Sequence, residues 1–179
     1  MAEIVYQSPL GPIRLREAYG HITHLDWGPA LQSELDHNPP PCNNDTPLLN
    51  RAVHQLNAYF FGSRCALNLP VAPSGTKFQK AVWNQILAIP YGELRTYGEI
   101  AVWLCSAPRA LGVTCGRNPI PIIIPCHRVV AASGLGGYSG SGGIDTKQWL
   151  LKLEGWPSTA SPSLFDLPAS AGNHAAVLK

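Results

Sequence analysis

The spacing of apolar residues changes period along the chain, and each change marks an element. Pro12-Ile13-Arg14-Leu15-Arg16 alternates apolar and basic positions, and Ile22-Thr23-His24-Leu25-Asp26-Trp27 follows after Tyr19-Gly20. A period of two on both sides of a turn dipeptide predicts a hairpin of two strands. Residues 36–46, rich in Pro, Asn and Asp, read as a loop. Leu48, Leu49, Val53, Leu56 and Phe60 then recur at helical spacing and predict an amphipathic helix stopped at Gly62. Pro70-Val71-Ala72-Pro73-Ser74-Gly75 marks a boundary between two halves.

The second half carries a helical period. Phe78, Val82, Trp83, Ile86 and Ile89 form a stripe that ends at Pro90-Tyr91-Gly92. Thr96-Tyr97-Gly98-Glu99 matches the capping box, in which Thr caps the first turn and the Glu three residues on caps back. A helix from Tyr97 to Leu104 is expected, with Ile100, Ala101 and Leu104 inward. After the break Cys105-Ser106-Ala107-Pro108, another runs from about Pro108 to Gly116, closed by Arg117-Asn118-Pro119. Two short helices across a tight turn outline a helix-turn-helix. The second holds one Arg and several small residues, so its backbone can approach another surface, either a packed core or a narrow groove in DNA. Residues 134–143 contain six glycines but no Gly-Lys-Ser/Thr ending, which favours a pocket wall over a phosphate loop. Lys147 to Glu154 closes the domain as a helix before Gly155, and the Ser/Ala/Pro-rich segment 157–179 is expected to be disordered.

With 179 residues, 45% hydrophobic and 13% charged, the chain can bury one substantial core or two small ones. No apolar run approaches the roughly 18 residues of a membrane span. Met1 to Gln7 lacks the basic region and apolar core of a signal peptide, so a cytoplasmic chain that meets no membrane is expected. Five scattered cysteines without a Cys-x-x-Cys pair point to reduced thiols. His21, His24 and Cys42 fit no zinc-ligand spacing, and neither metal nor cofactor is expected. The net charge of +2 neither demands nor excludes nucleic acid, but from Lys77 to Arg128 six Lys or Arg meet only Glu93 and Glu99. That is a modest basic face.

The candidate chemistry lies at Ile124-Pro125-Cys126-His127-Arg128-Val129, after the apolar run Ile120-Pro121-Ile122-Ile123-Ile124. A thiol beside two potential cations is biased toward thiolate, the nucleophilic form. The competing reading is a buried small hydrophobe, the usual fate of a free cysteine. Local context leaves the two even.

Several motifs in order break that tie: Gly75-Thr76-Lys77-Phe78-Gln79 with Val82-Trp83, Thr96-Tyr97-Gly98-Glu99-Ile100-Ala101, Arg109-Ala110-Leu111-Gly112, Asn118-Pro119, Pro125-Cys126-His127-Arg128-Val129, Gly137-Tyr138-Ser139-Gly140, and Trp149-Leu150-Leu151 with Glu154-Gly155. This pattern resembles the O6-alkylguanine-DNA alkyltransferases, also called methylated-DNA-protein-cysteine methyltransferases. It covers residues 75 to 155; Ser8-Pro9-Leu10-Gly11-Pro12 and Leu56-Asn57-Ala58-Tyr59-Phe60-Phe61-Gly62 match more loosely. The resemblance implies an α/β (α+β) fold. A small N-terminal ribonuclease H-like sheet-and-helix domain (1–73) would precede a mainly helical C-terminal domain (74–156) with the helix-turn-helix.

It also implies an activity: a monomer binds double-stranded DNA in the minor groove and flips the damaged nucleotide. The alkyl group on guanine O6 then passes irreversibly to Cys126. His127 would take the thiol proton through water, Glu154 would hold the imidazole, and Asn118 would order the turn below the cysteine. Tyr97 would donate a proton to the leaving guanine, and Arg109 would fill the gap in the stack. Gln79, Tyr97, Ala110 and Gly112 join Arg109 against DNA, and Tyr138, Ser139, Pro121 and Val129 would line the base pocket.

Two departures stand out. The interval from Tyr97 to Arg109 is about two residues shorter than in several family members, and the glycine loop is longer by a similar amount at Ser141 to Gly143. The non-catalytic relatives carry tryptophan where this chain has Cys126. A lesion-binding module that transfers nothing is the alternative, and a cysteine hydrolase, for which no signature surrounds Cys126, is a third.

Overall fold

Apolar residues alternate along the first strands because one face of their sheet is covered. The computed structural model describes residues 1–37, 46–63 and 66–156. In it, β1 (Ala2–Ser8), β2 (Gly11–Ala18) and β3 (His21–Trp27) form an antiparallel sheet in the order β1-β2-β3. The predicted hairpin is its β2–β3 pair. Tyr19 and Gly20 both take positive φ, 53° and 74°, giving the turn whose twist matches that of the strands. The sheet has a third strand where two were predicted, because β1 adds Ile4 to the covered face. A register shift at Arg16/Glu17 lets Ile22 and Leu25, three residues apart, both enter the core. On the other face, Arg14 pairs with Glu34 at 2.6 Å and Arg16 with Asp26 at 2.9 Å.

Helix α1 (Pro29–His37) buries only Leu31, which is why no apolar stripe announces it. Helix α2 (Pro47–Phe60), capped by the Thr46 side chain on the Leu49 amide, lays Leu49, Leu56, Tyr59 and Phe60 into the core. Most of the predicted loop 36–46 lies outside the described residues, as do Cys42 and the segment 157–179. The boundary segment is tied to β3: Ile22 N–H donates to the Pro70 carbonyl at 2.8 Å, and Ala72 N–H to that of Ile22 at 2.9 Å.

Helix α3 (Lys77–Leu87) buries Val82, Trp83 and Ile86, while Phe78 at the head of the predicted stripe is 37% exposed. Helix α4 (Tyr97–Trp103) opens in the predicted capping box, with both Thr96 and Glu99 bonds formed. Helix α5 (Pro108–Cys115) packs on α4 and receives the Trp83 indole N–H of α3 on its Thr114 carbonyl. Helix α6 (Gly143–Leu153) starts four residues before the predicted Lys147, in the glycine-rich segment. Two short strands, β4 (Arg95–Thr96) and β5 (Val129–Val130), pair in parallel and set the start of α4 beside the chain leaving Cys126. The fold is mixed α/β, a small N-terminal sheet unit against a helical C-terminal half. One buried cluster runs through both, from Ile4 and Leu15 to Ile124 and Cys126. No described helix is long and apolar enough to cross a membrane.

Candidate active site

The apolar run Ile120 to Ile124 is wholly buried, and it turns sharply before the cysteine. Ile122 takes a φ of 71°, strained for a β-branched residue, and the chain enters a 3-10 turn at Cys126–Arg128. Asn118 braces this turn. Its amide nitrogen donates to the Ile124 carbonyl at 2.8 Å and to Cys126 Sγ at 3.3 Å, while its oxygen accepts from Ile120 N–H at 3.0 Å.

Glu154, at the C-terminal cap of α6, receives five hydrogen bonds. Oε1 accepts from His127 Nε2 (2.8 Å), Tyr59 Oη (2.7 Å) and an Arg128 terminal nitrogen (2.9 Å); Oε2 accepts from Arg128 Nε (2.8 Å) and Gly92 N–H (3.3 Å). Burial alone would raise its carboxyl pKa, but the hydrogen bonds from His127 and Arg128, with the Arg128 charge, outweigh that and hold it at about 2. His127 goes the other way: burial, against the pull of Glu154, lowers its pKa and keeps the ring neutral. An ionised Glu154 fixes the proton on Nε2. Nδ1 is left as a buried acceptor with no partner among the described residues.

The expectation that two adjacent cations would bias Cys126 toward thiolate is not met. Burial raises the thiol pKa, His127 is neutral, and Arg128 is spent on Glu154 and the Ile89 carbonyl. The opposing influences are the Asn118 amide, then the Lys147 ammonium, then the backbone amides of the turn. Lys147 on α6 is fully buried, and Nζ donates to the carbonyls of Val129 (2.6 Å), Leu135 (2.6 Å) and Gly137 (3.3 Å). With no carboxylate partner among the described residues, its pKa is lowered by burial to about 8, an amine still largely charged near neutrality.

Cys126 opens onto a cavity of about 440 Å³ between α4, α5 and the glycine loop, lined by Tyr97, Gly112, Cys115, Tyr138 and Ser139 among others. The glycines shape this wall. A Cβ on Gly136 would stand 3.1 Å from the Tyr97 ring, and one on Gly140 would stand 2.5 Å from that of Tyr138 and 2.9 Å from Trp27. Tyr97 Oη donates to the Gly137 carbonyl at 3.5 Å, and the buried Tyr138 hydroxyl has no partner among the described residues. Burial raises the pKa of both phenols, so each is a proton donor at neutral pH. A second cavity of about 220 Å³ joins Cys126 to Pro121, Asn118 and the β3 residues His24 and Asp26.

The expected site residues are thus not equally placed. Cys126, Tyr97, Gly112, Tyr138 and Ser139 share the main cavity, with His127, Glu154 and Asn118 behind the thiol. Arg109 is exposed near the start of α5, one residue before half-buried Ala110. Pro121 lines the second cavity. Val129 lines neither cavity, because its side chain is fully buried in the core; its backbone serves the site, the N–H donating to the Cys126 carbonyl and the carbonyl accepting from Lys147. Gln79 commits its side-chain oxygen to the Thr76 amide at 2.9 Å as half of a capping box on α3, so only its NH2 remains for DNA. Arg128, expected beside the thiol as a cation, instead clamps Glu154, and Lys147, Tyr59 and Trp27 have no local spacing that sets them apart as site residues. A lysine on the buried side of a helix with no acidic neighbour in register was the one available signal.

Fold and site define a class: a protein that presents a buried thiol, backed by a neutral histidine on an ionised glutamate, at the foot of a helix-turn-helix. Residues 77–156 match the DNA binding domain of 6-O-methylguanine DNA methyltransferase, and residues 1–73 match its ribonuclease-like domain. The chain belongs to this family. A methylated-DNA–protein-cysteine methyltransferase of Methanosarcina acetivorans is 42% identical over 157 residues, covering 84% of this chain and 96% of that one. The enzyme of that name from Mycobacterium leprae is 50% identical over 167 residues, 89% of this chain and 95% of its own. Among solved structures, Mycobacterium tuberculosis OGT in complex with DNA superposes with a TM-score of 0.70 at 40% identity, covering 92% of this chain and 94% of that one.

Proposed function

We propose that this chain repairs DNA by direct reversal, moving the alkyl group of O6-alkylguanine in duplex DNA onto Cys126 in one irreversible turnover. The observation that carries the reading is the thiol at the floor of the cavity, backed by a neutral histidine whose one free nitrogen is an acceptor. His127 Nδ1 takes the Cys126 proton through a water, and Glu154, clamped by Arg128 and Tyr59, stabilises the imidazolium that forms. Lys147 and Asn118 then hold the thiolate while it displaces guanine from the alkyl carbon. Tyr97 donates its proton to the leaving base, and Tyr138 and Ser139 wall the pocket.

A base inside a stacked duplex cannot reach a thiol at the floor of such a cavity, so the nucleotide must rotate out. The small face of α5, with Gly112 open to solvent, suits close approach in the minor groove, and exposed Arg109 enters the gap. Residues 1–73 and 74–156 act as support and as DNA-binding acceptor unit, in a monomer working in the cytoplasm. Incubation with duplex carrying O6-methylguanine should add one methyl mass to the Cys126 peptide and to no other. An unmodified Cys126 after prolonged reaction would sink this reading.

A further inference from the structure

The mechanism leaves one nucleophile in the pocket unused. Cys115, the last residue of α5, is a free thiol that lines both cavities on which Cys126 opens. Asn118 links the two positions, donating its backbone N–H to the Cys115 carbonyl at 3.2 Å and its side-chain amide to Cys126 Sγ at 3.3 Å. We propose that Cys115 is a second acceptor: when the group delivered to Cys126 carries a leaving group on its second carbon, Cys115 attacks that carbon and bridges the thiols. The inference rests on the transfer proposed above and names a substrate class for it, 2-haloethyl groups on guanine O6.

In the first step the Cys126 sulfur bonds the first carbon as the bond from that carbon to guanine O6 breaks. In the second, the Cys115 sulfur bonds the second carbon, the halide leaves with the carbon–halogen pair, and the Cys115 proton passes to solvent at the cavity mouth. No oxidant is needed, and a two-carbon bridge spans further than the roughly 2 Å of a disulfide. A plain methyl or ethyl group offers no second electrophile, so Cys115 stays idle with those lesions.

The order of events is built into the charges. Burial, then the Cys126 charge, push the Cys115 thiol up to about 12, which keeps it out of the first step. Conversion of Cys126 to a neutral thioether removes the second of these and leaves Lys147, which opposes both, acting on Cys115 alone. Confinement in one pocket supplies the high effective concentration that a sluggish thiol requires. The consequence is protective: a haloethyl thioether is itself an alkylating agent, and capture by Cys115 removes it before it reaches DNA.

The full chain is incubated with duplex containing one O6-(2-chloroethyl)guanine, beside a duplex containing O6-methylguanine, and digested with trypsin. Cleavage after Arg109, Arg117 and Arg128 places Cys115 in peptide 110–117 and Cys126 in peptide 118–128. The expected major product from the chloroethyl duplex is these two peptides joined by a two-carbon, chlorine-free bridge, with exposed Cys105 unmodified. Cys115→Ser should leave chloroethyl or hydroxyethyl on Cys126 alone; if that variant fails to fold, the wild-type peptide map decides. Methyl transfer with no bridge, or a bridge to Cys105, overturns the inference. Failure of methyl transfer overturns the function on which it rests.

Discussion

Replacement of Glu154 by Gln tests the anchor of the site most directly. The carboxylate accepts five hydrogen bonds in a fully buried position, two of them from the guanidinium of Arg128. An amide has one acceptor oxygen and one donor nitrogen, so in either orientation its NH2 faces N–H donors of Arg128, and the guanidinium loses its counter-charge. Breaking a buried pair in this way costs about 3–5 kcal/mol. The titration gives a second route to the magnitude: a carboxyl held at about 2 instead of 4.5 is worth on the order of 3 kcal/mol at neutral pH. At roughly 2–4 °C per kcal/mol for a chain of this size, Glu154→Gln should melt about 6–20 °C lower by calorimetry at pH 7. The sign with pH is fixed as well. A carboxyl depressed in the folded state contributes fully above its unfolded value near 4.5 and loses that contribution as pH falls toward about 2. The gap between wild type and variant should therefore narrow across that window. A variant within 1 kcal/mol of wild type at pH 7, or a gap that does not change between pH 5 and 2, would refute the assignment of Glu154 as the charged anchor.

Three further outcomes follow from particular contacts. Lys147→Met removes the buried ammonium that favours the thiolate, and pseudo-first-order alkylation of Cys126 by iodoacetamide should slow, by roughly threefold and at most about tenfold for each pKa unit the thiol rises. An unchanged rate would show that Lys147 only props the glycine loop. Arg109→Ala should impair repair of O6-methylguanine in duplex more than reaction with free O6-benzylguanine; equal losses would argue against entry into the stack. Cys105 takes a φ of 46° where the last turn of α4 closes, with Ser106 N–H on the Ala101 carbonyl at 2.9 Å. Cys105→Gly should relieve that left-handed strain and raise stability by up to about 1 kcal/mol, read as a rise in Tm.

Local rules were enough wherever a signal lies within a few residues. The Tyr19-Gly20 turn, the Thr96–Glu99 box and the apolar stripe of α3 each satisfy their own backbone, so they stand in the structure much as the sequence implies. The residues around Cys126 left a reactive thiol and a buried hydrophobe even, and only the family's motifs taken in order favoured the first. Local rules failed where burial comes from elsewhere: β1 is a strand because β2 pairs with it, and β4 and β5 are too short to show any period.

What the sequence determined by itself is the set of chemical groups and the elements that carry them: a cysteine after an apolar run, a histidine next to it, and two short helices with a small-residue face. What only the tertiary structure decided is the electrostatic state of those groups. The adjacent residues His127 and Arg128 do not act as cations on the Cys126 thiol, because Glu154, 27 and 26 positions away in sequence from the two, binds both and His127 stays neutral. The cation that favours the thiolate comes instead from α6, and a second thiol lines the same cavity as the first only because α5 ends over it. Charge interactions depend on distance and burial in space. Chain neighbours do not determine them, and the fold does.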